Sequence, residues 1–416
     1  MSTSITSSLP ETVHHQSLSA PAAPGNSRIV SVDIFRGLTI LVMIFVNELA
    51  SVRGLPWWTY HLREEVNGMT YVDMVFPFFL FIVGIAVPLA IRHRLSRGDS
   101  AIQLWMHIVA RSFALIVLGI VLANAEMVNA QLTHVTAGAW GLLALAGAIL
   151  FWAVYPRSEK YRTLFRGMKL AGLLLMVAML AIFRRMDRSG HPAWLDFGYW
   201  EILGLIGWTY FGVALLYIPT RRWRWAPLLW LVALTALNAA LFARWISFPN
   251  RLPFYEWPWN NGCMCLITVA GIVVSTILLS DAFATTFRRK AMLALGFAAI
   301  LFAGGWLLTP LGISKIRATP TWGLYSAGAA TLCFLLLYWI CDQWGHSRWA
   351  LPVRPAGSNT LLTYLLPDLF YFAFGSLAVM QLWGYGWPGV VKSLVFTGLI
   401  LCLAAIFTRL KVRMQL

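Results

Sequence analysis

Apolar runs of about 20 residues recur along almost the whole of this 416-residue chain. That is the length an α-helix needs to cross the hydrocarbon of a bilayer. No water is available there to satisfy backbone N–H and C=O groups, so such runs fold as helices whose hydrogen bonds close within each segment. The runs fall near 33–52, 72–91, 103–124, 135–155, 168–184, 198–218, 226–243, 261–280, 290–310, 320–341, 357–376 and 388–408. The expected fold is therefore all-α, a polytopic integral membrane bundle of about 12 helices, with 10 to 12 as the range. Charged residues are only 12% of the chain, about half the share in a soluble domain.

The net charge of +16 would suggest nucleic acid in a soluble protein. Here Lys and Arg sit mainly in short loops between apolar runs, where they set orientation. With the N-terminus inside, the inside segments hold roughly twice as many basic residues as the outside ones. Both termini are expected to be cytoplasmic, and no nucleic-acid partner is expected. Arg184, Arg185 and Arg188 run against this bias locally. Residues 1–27 are rich in Ser, Thr, Pro and Ala and lack an apolar core, so they read as a disordered tail, not a signal peptide. The membrane domain then spans 28–416.

The five cysteines form no zinc pattern and read as buried, inert thiols, and no metal is expected. The phosphate-binding, dinucleotide, zinc-protease and nucleophile-elbow motifs are all absent, which argues against an ATP-driven pump or a soluble-type hydrolase.

Polar residues concentrate between Ser31 and Gly84, where Asp33, Arg36, Asn47, Glu48, His61, Asn67 and Asp73 lie in or beside the first two runs. Ionisable groups in membrane segments are costly and mark function or pairing. His61, in the first outside loop, can take and return a proton near neutral pH. Asp73, twelve residues on, could orient its ring. Asn47, near the outer end of the first run, could donate to an oxyanion. Asn47 and Asp73 equally suit helix caps. Trp57 and Trp58 suit an interfacial aromatic belt, or a stacking wall for a sugar. Asp33 and Arg36 share a helix face and could simply pair. Arg111 lies inside the third run, and Arg suits phosphate through its bidentate fork. With Arg36, Arg92 and Arg94 it could hold a phosphorylated cofactor entering from inside, although Arg92, Arg94 and Arg97 also fit topology alone. Further on, Lys315 lies in an outside loop, and Asn359, Tyr364 and Asp368 make the eleventh run polar enough to face a cavity. Lys315, Asn359 and Asn67 are candidate substrate contacts.

SVDIFRGLTILVMIFVN, His61 and NGMTYVDMVFPFFLFIVG together resemble the hallmark region of the heparan-alpha-glucosaminide N-acetyltransferase family and its bacterial relatives. ARSF (110–113), ILGLIGWTYF (202–211), GISKIRATPTW (312–322) and GSNTLLTYLL (357–366) resemble later blocks in the same order. The resemblance implies a transferase that carries an acetyl group from cytoplasmic acetyl-CoA to a sugar across the membrane. It implies that His61 is the active-site histidine, Asn47 an active-site asparagine, Asp73 the neighbouring aspartate, and Arg36 and Arg111 the basic positions serving CoA. The chain departs from the animal members in three places. The His61-to-Asn67 spacing is two residues longer, Ile206-Gly207 replaces Gln-Arg, and 135–184 reads as an inserted helix pair.

The expectation is a CoA-dependent membrane acyltransferase of the bacterial cytoplasmic membrane, acting on an amino or hydroxyl group of an outside sugar or glycan. Its partners are the lipid bilayer and that acceptor, with a homodimer left open. A sugar or ion transporter and a non-enzymatic envelope-assembly component are the alternatives. Pairing an outside His61 with an inside Arg cluster favours the transferase.

Overall fold

The structure, a computed structural model, describes residues 29–198, 201–247, 261–377, 382–414 and 416. The expected tail at 1–27 lies outside the described residues. The chain forms α1 (Val30–Leu49), α2 (Val75–Ser96), α3 (Ala101–Ala125), a short α4 (Ala130–Thr133), α5 (Ala137–Trp152), α6 (Arg162–Ile182), α7 (Glu201–Thr220) and α8 (Ala226–Phe242). α9 (Cys263–Leu278), α10 (Phe287–Leu307), α11 (Pro320–Tyr338), a short α12 (Arg354–Ser358), α13 (Thr360–Phe374) and α14 (Gly386–Arg409) follow. Eight helical stretches, carried by α1, α2, α3, α6, α7, α10, α11 and α14, are long and apolar enough to cross a membrane. The shorter apolar α5, α8, α9 and α13 coincide with the remaining runs seen in the sequence. The chain is thus a polytopic helical membrane protein. A two-residue ribbon, β1 (Arg185–Met186) with β2 (Pro192–Ala193), is its one sheet among the described residues.

Local chemistry sets several helix ends. Ser100 and Gln103 form a reciprocal capping box at α3. Thr319 caps α11, with Pro320 at its first position. The start of α1 is capped from a distance: both Asp342 carboxylate oxygens accept backbone N–H bonds, from Val30 and Ser31, at 2.9 Å each. A carboxylate at a helix N-terminus also meets the positive end of its dipole.

α9 is the centre of the bundle, with every residue but Thr276 buried. It packs on α2 through two glycines. A Cβ on Gly84 would lie 1.8 Å from the Thr268 carbonyl oxygen, and one on Gly271 would lie 2.1 Å from that of Phe81. Small residues permit such backbone approach where the hydrophobic effect cannot drive helices together. α6 lies at the opposite extreme, burying only Gly172 and Met176 against α5.

Three sequence expectations need correction. The fifth run begins six residues earlier than its apolar stretch, because Arg162, Arg166 and Lys169 extend α6 at its start; long basic side chains reach the interface while their stems remain apolar. The eleventh run is two helices, α12 and α13, broken at Asn359, whose backbone (φ −125°, ψ 47°) leaves the helical region. Of the cysteines, Cys263, Cys265 and Cys341 are buried, but Cys333 and Cys402 are exposed on the bundle surface.

Gly84→Val forces a side chain into the α9 backbone and is expected to cost about 3 kcal/mol. Gly296→Ala, where an added Cβ meets nothing within 4 Å, is expected to be neutral. Thermal unfolding of the two purified variants in one detergent checks the contrast.

Candidate active site

The loop after α1 is folded by its own polar groups. Tyr60 Oη donates to the Val52 carbonyl (2.7 Å) and accepts from the Leu55 N–H (3.1 Å). Thr70 Oγ1 donates to the Tyr60 carbonyl (2.9 Å). These bonds return the chain towards the start of α2, where Asp73 sits 1% exposed in a 3₁₀ turn. One Asp73 oxygen accepts from the Thr70 N–H at 3.0 Å, and the other lies 2.7 Å from His61 Nδ1. A carboxylate only accepts, so Nδ1 is the donor in this pair, and in the neutral ring Nε2 is the nitrogen with the free lone pair. The longer His61-to-Asn67 segment does not prevent contact. Asn67 Oδ1 accepts from the Ile313 N–H (2.7 Å), and the Gly68 N–H donates to the Ile313 carbonyl (2.9 Å). The segment is latched to the loop before α11.

That latch brings Lys315 onto the histidine. Lys315 Nζ is 3.2 Å from His61 Nδ1 and 3.3 Å from Nε2. A point equidistant from both nitrogens at that range lies over the ring face, because an in-plane position would collide with Cε1. The Nε2 lone-pair direction therefore stays open. Burial pushes the Lys315 ammonium down to about 8, while the Asp73 carboxylate acts the other way, favouring the charged form. Trp322 Nε1 donates to the Asp73 carbonyl at 3.1 Å, so α11 holds both Lys315 and the aspartate backbone in register.

At the same end of the bundle, α1, α3, α7 and α13 enclose a cavity of about 520 Å³. Asn47 is on its wall, with Glu48, Glu126, Glu201, Asp368 and Tyr371. Glu48 pairs with Lys392 at 3.2 Å and accepts from Tyr371 Oη. Glu201 accepts from Tyr364 Oη at 2.6 Å. Asp368 has no hydrogen-bond partner among the described residues. Four carboxylates thus share one lining, a chemistry that suits a cation or a polyhydroxylated ligand. Trp57 and Trp58 stand outside it, 68% and 50% exposed, with Trp58 tilted against Tyr71 at 6.2 Å.

The opposite end is basic. Arg94, His107 and Lys169 line a cavity of about 610 Å³ beside Trp152 and Tyr155. Arg94 also pairs with Asp99 at 2.7 Å. Arg111 is held inside α3 over the Tyr210 ring, 5.1 Å from its centroid, a cation–π contact. Beside these two residues the hydroxyls of Ser112 and Thr209 are buried without partners. Arg36 lies apart from this group in its contacts, 3.7 Å from Asp33 and 3.5 Å from the Gly357 carbonyl. Arg92 is exposed.

The structure thus unites His61, Asp73 and Lys315, with Asn67 as a latch, and sets Asn47 on the neighbouring cavity. Asn359 is a correction. It is 2% exposed, its Nδ2 donates to the Val412 carbonyl at 2.9 Å, and its Oδ1 accepts from the Met414 N–H at 3.4 Å. Its amide ties down the C-terminal segment, away from His61 and the cavity beside Asn47. Glu48, Glu126 and Lys392 carry no chemistry in the sequence reading. Only Glu48 had a signal, its place in the polar stretch after Ser31.

Residues 28–242, just over half of the chain, match a family described as a domain of unknown function (DUF5009). The mouse protein called heparan-alpha-glucosaminide N-acetyltransferase is 41% identical over 98 residues, 24% of this chain and 14% of that protein. The human protein of the same name is 41% identical over 97 residues, 23% of this chain and 14% of that protein. The chain therefore spans about one seventh of the length of the curated relatives it matches.

Lys315 is expected to react with an amine-selective acylating reagent with a midpoint near pH 8, well below an ordinary lysine. In Asp73→Asn the stabilising carboxylate is gone, so the midpoint moves lower. Peptide mass spectrometry across a pH series measures both.

Proposed function

We propose that this chain, which belongs to the DUF5009 family, is a membrane acyltransferase that moves an acetyl group from acetyl-CoA to an amino group of a sugar or glycan. The observation that carries this reading is the His61–Asp73 pair under Lys315, with Nε2 open at the acidic end of the bundle. The partial likeness to the two N-acetyltransferases supports it.

The chain lies in the bacterial cytoplasmic membrane with both termini inside, an orientation that the bias of Lys and Arg towards the inside loops supports. The cavity around Asn47, Glu48 and Asp368 faces outward and receives the acceptor. Its carboxylates favour an amine, cationic until it gives up a proton, over a neutral hydroxyl. Acetyl-CoA enters at the basic end, where Arg94 and Arg111 meet its phosphates; Arg36 and Arg92 line the approach.

In the transfer step the acceptor nitrogen attacks the thioester carbonyl and His61 Nε2 takes its proton. Asp73 holds the ring and offsets the imidazolium charge, as in triad logic. Asn47 donates to the oxyanion of the tetrahedral intermediate. The intermediate collapses as the C–S bond breaks, and the imidazolium proton goes to the departing CoA thiolate. That transfer returns His61 to its neutral form for the next turnover, and the nearby Lys315 ammonium favours it by disfavouring a second positive charge on the ring.

Purified protein incubated with radiolabelled acetyl-CoA and a panel of amino sugars tests this. Wild type transfers label, and His61→Ala falls by about a hundredfold or more. Equal background in both sinks the reading for that panel. CoA should also raise the melting temperature of the wild type, and Arg111→Ala should lose most of that shift.

A further inference from the structure

A second basic concavity, of about 440 Å³, lies at the start of α6 and the loop before it. Arg157, Arg162, Arg166 and Lys169 line it. Its floor is aromatic: Tyr155 stacks on Phe165 at 5.0 Å and 25°, and Lys169 Nζ lies 5.8 Å over the Tyr155 ring. Glu159 is the one acidic residue of the lining, and its 3.4 Å pair with Arg162 joins side chains 90% and 56% exposed. Such a pair neutralises little, so the concavity keeps a strong positive charge.

The same helix then presents an apolar stripe. Arg162, Arg166, Leu170 and Leu174 follow at intervals of four, and Val177 comes three later, which puts all five on one face. Leu170, Leu174 and Val177 are 56%, 59% and 51% exposed. The buried residues of α6, Gly172 and Met176, turn the opposite side to α5. A cationic mouth continuous with an open apolar stripe, on a helix long enough to cross the bilayer, matches an amphiphile of one kind.

We propose that the α6 concavity binds the phosphate headgroup of an anionic phospholipid, whose acyl chains lie along Leu170, Leu174 and Val177. Charge complementarity favours an anionic head, and the stripe favours a lipid over a soluble phosphate. The site lies in the helix pair that the sequence reads as inserted. It adjoins the Arg94 cavity, sharing Tyr155 and Lys169 with it, and the assignment holds whether or not the chain is an enzyme.

Native mass spectrometry of the detergent-purified chain tests the assignment with phosphatidylglycerol, phosphatidylcholine and glycerol 3-phosphate as probes. Wild type is expected to retain phosphatidylglycerol at least tenfold better than phosphatidylcholine, with no retention of glycerol 3-phosphate. Arg157→Gln/Arg162→Gln/Arg166→Gln should lose most of that preference, at roughly fivefold per arginine. Arg97→Gln/Arg288→Gln/Arg289→Gln, which removes three exposed arginines from the same end of the bundle, should keep it. If the first triple variant is not monodisperse, Arg166→Gln alone should lose about fivefold. No lipid preference in the wild type, equal loss in both triple variants, an unchanged Arg166→Gln, or retention of glycerol 3-phosphate as strong as the lipid each overturns the proposal.

Discussion

The contact on which the rest of the structure depends is the backbone approach of α2 to α9 at Gly84 and Gly271. Within lipid, apolar side chains gain little by leaving one helix surface for another, so close packing has to supply the attraction. With α9 buried almost throughout, α2 and α11 both pack on it and on each other. Cys263 at the start of α9 meets the Thr319 carbonyl just before α11 at 3.4 Å, and Trp322 in α11 holds the Asp73 carbonyl at the start of α2. These three helix ends form the platform on which His61, Asp73 and Lys315 converge, 254 positions separating Lys315 from His61. The loops above need only short latches, the Asn67 and Gly68 bonds to Ile313, to complete the site.

Charge is kept at the two ends of the bundle and differs in sign between them. The end that carries His61 also gathers Glu48, Glu126, Glu201 and Asp368 around one cavity. The other end gathers Arg94, Lys169 and the arginines of the α5–α6 loop. Arg111, between them, is accommodated by the face of Tyr210, with no carboxylate paired to it among the described residues.

Much of the fold was legible because membrane helices are specified by a one-dimensional property. Length and apolarity located the runs that became α1 to α3, α5 to α11, α13 and α14, and the errors fall where that property is weakest. α6 begins in a basic segment, and the eleventh run hides a backbone break at Asn359. The site was legible in part. His61, Asp73 and Lys315 could be singled out as residue types out of place in apolar surroundings. Asn359 met the same criterion and proved to be a clamp on the C-terminal segment, since a polar group in a membrane segment is equally explained by a structural bond.

By itself, the sequence determined that this chain is a polytopic helical membrane protein, and that its unusual polar residues cluster around the first two runs. Burial of backbone in lipid leaves no other use for such runs of apolar residues. Only the tertiary structure decided which polar residues meet. Helix packing sets the distance between residues far apart in sequence, and no local pattern encodes that Lys315 lies over His61 or that Glu48, Glu201 and Asp368 share a cavity. The order of the helices around α9 decides it, through glycine contacts whose partners are far apart in the sequence, Gly84 with Thr268 and Gly271 with Phe81.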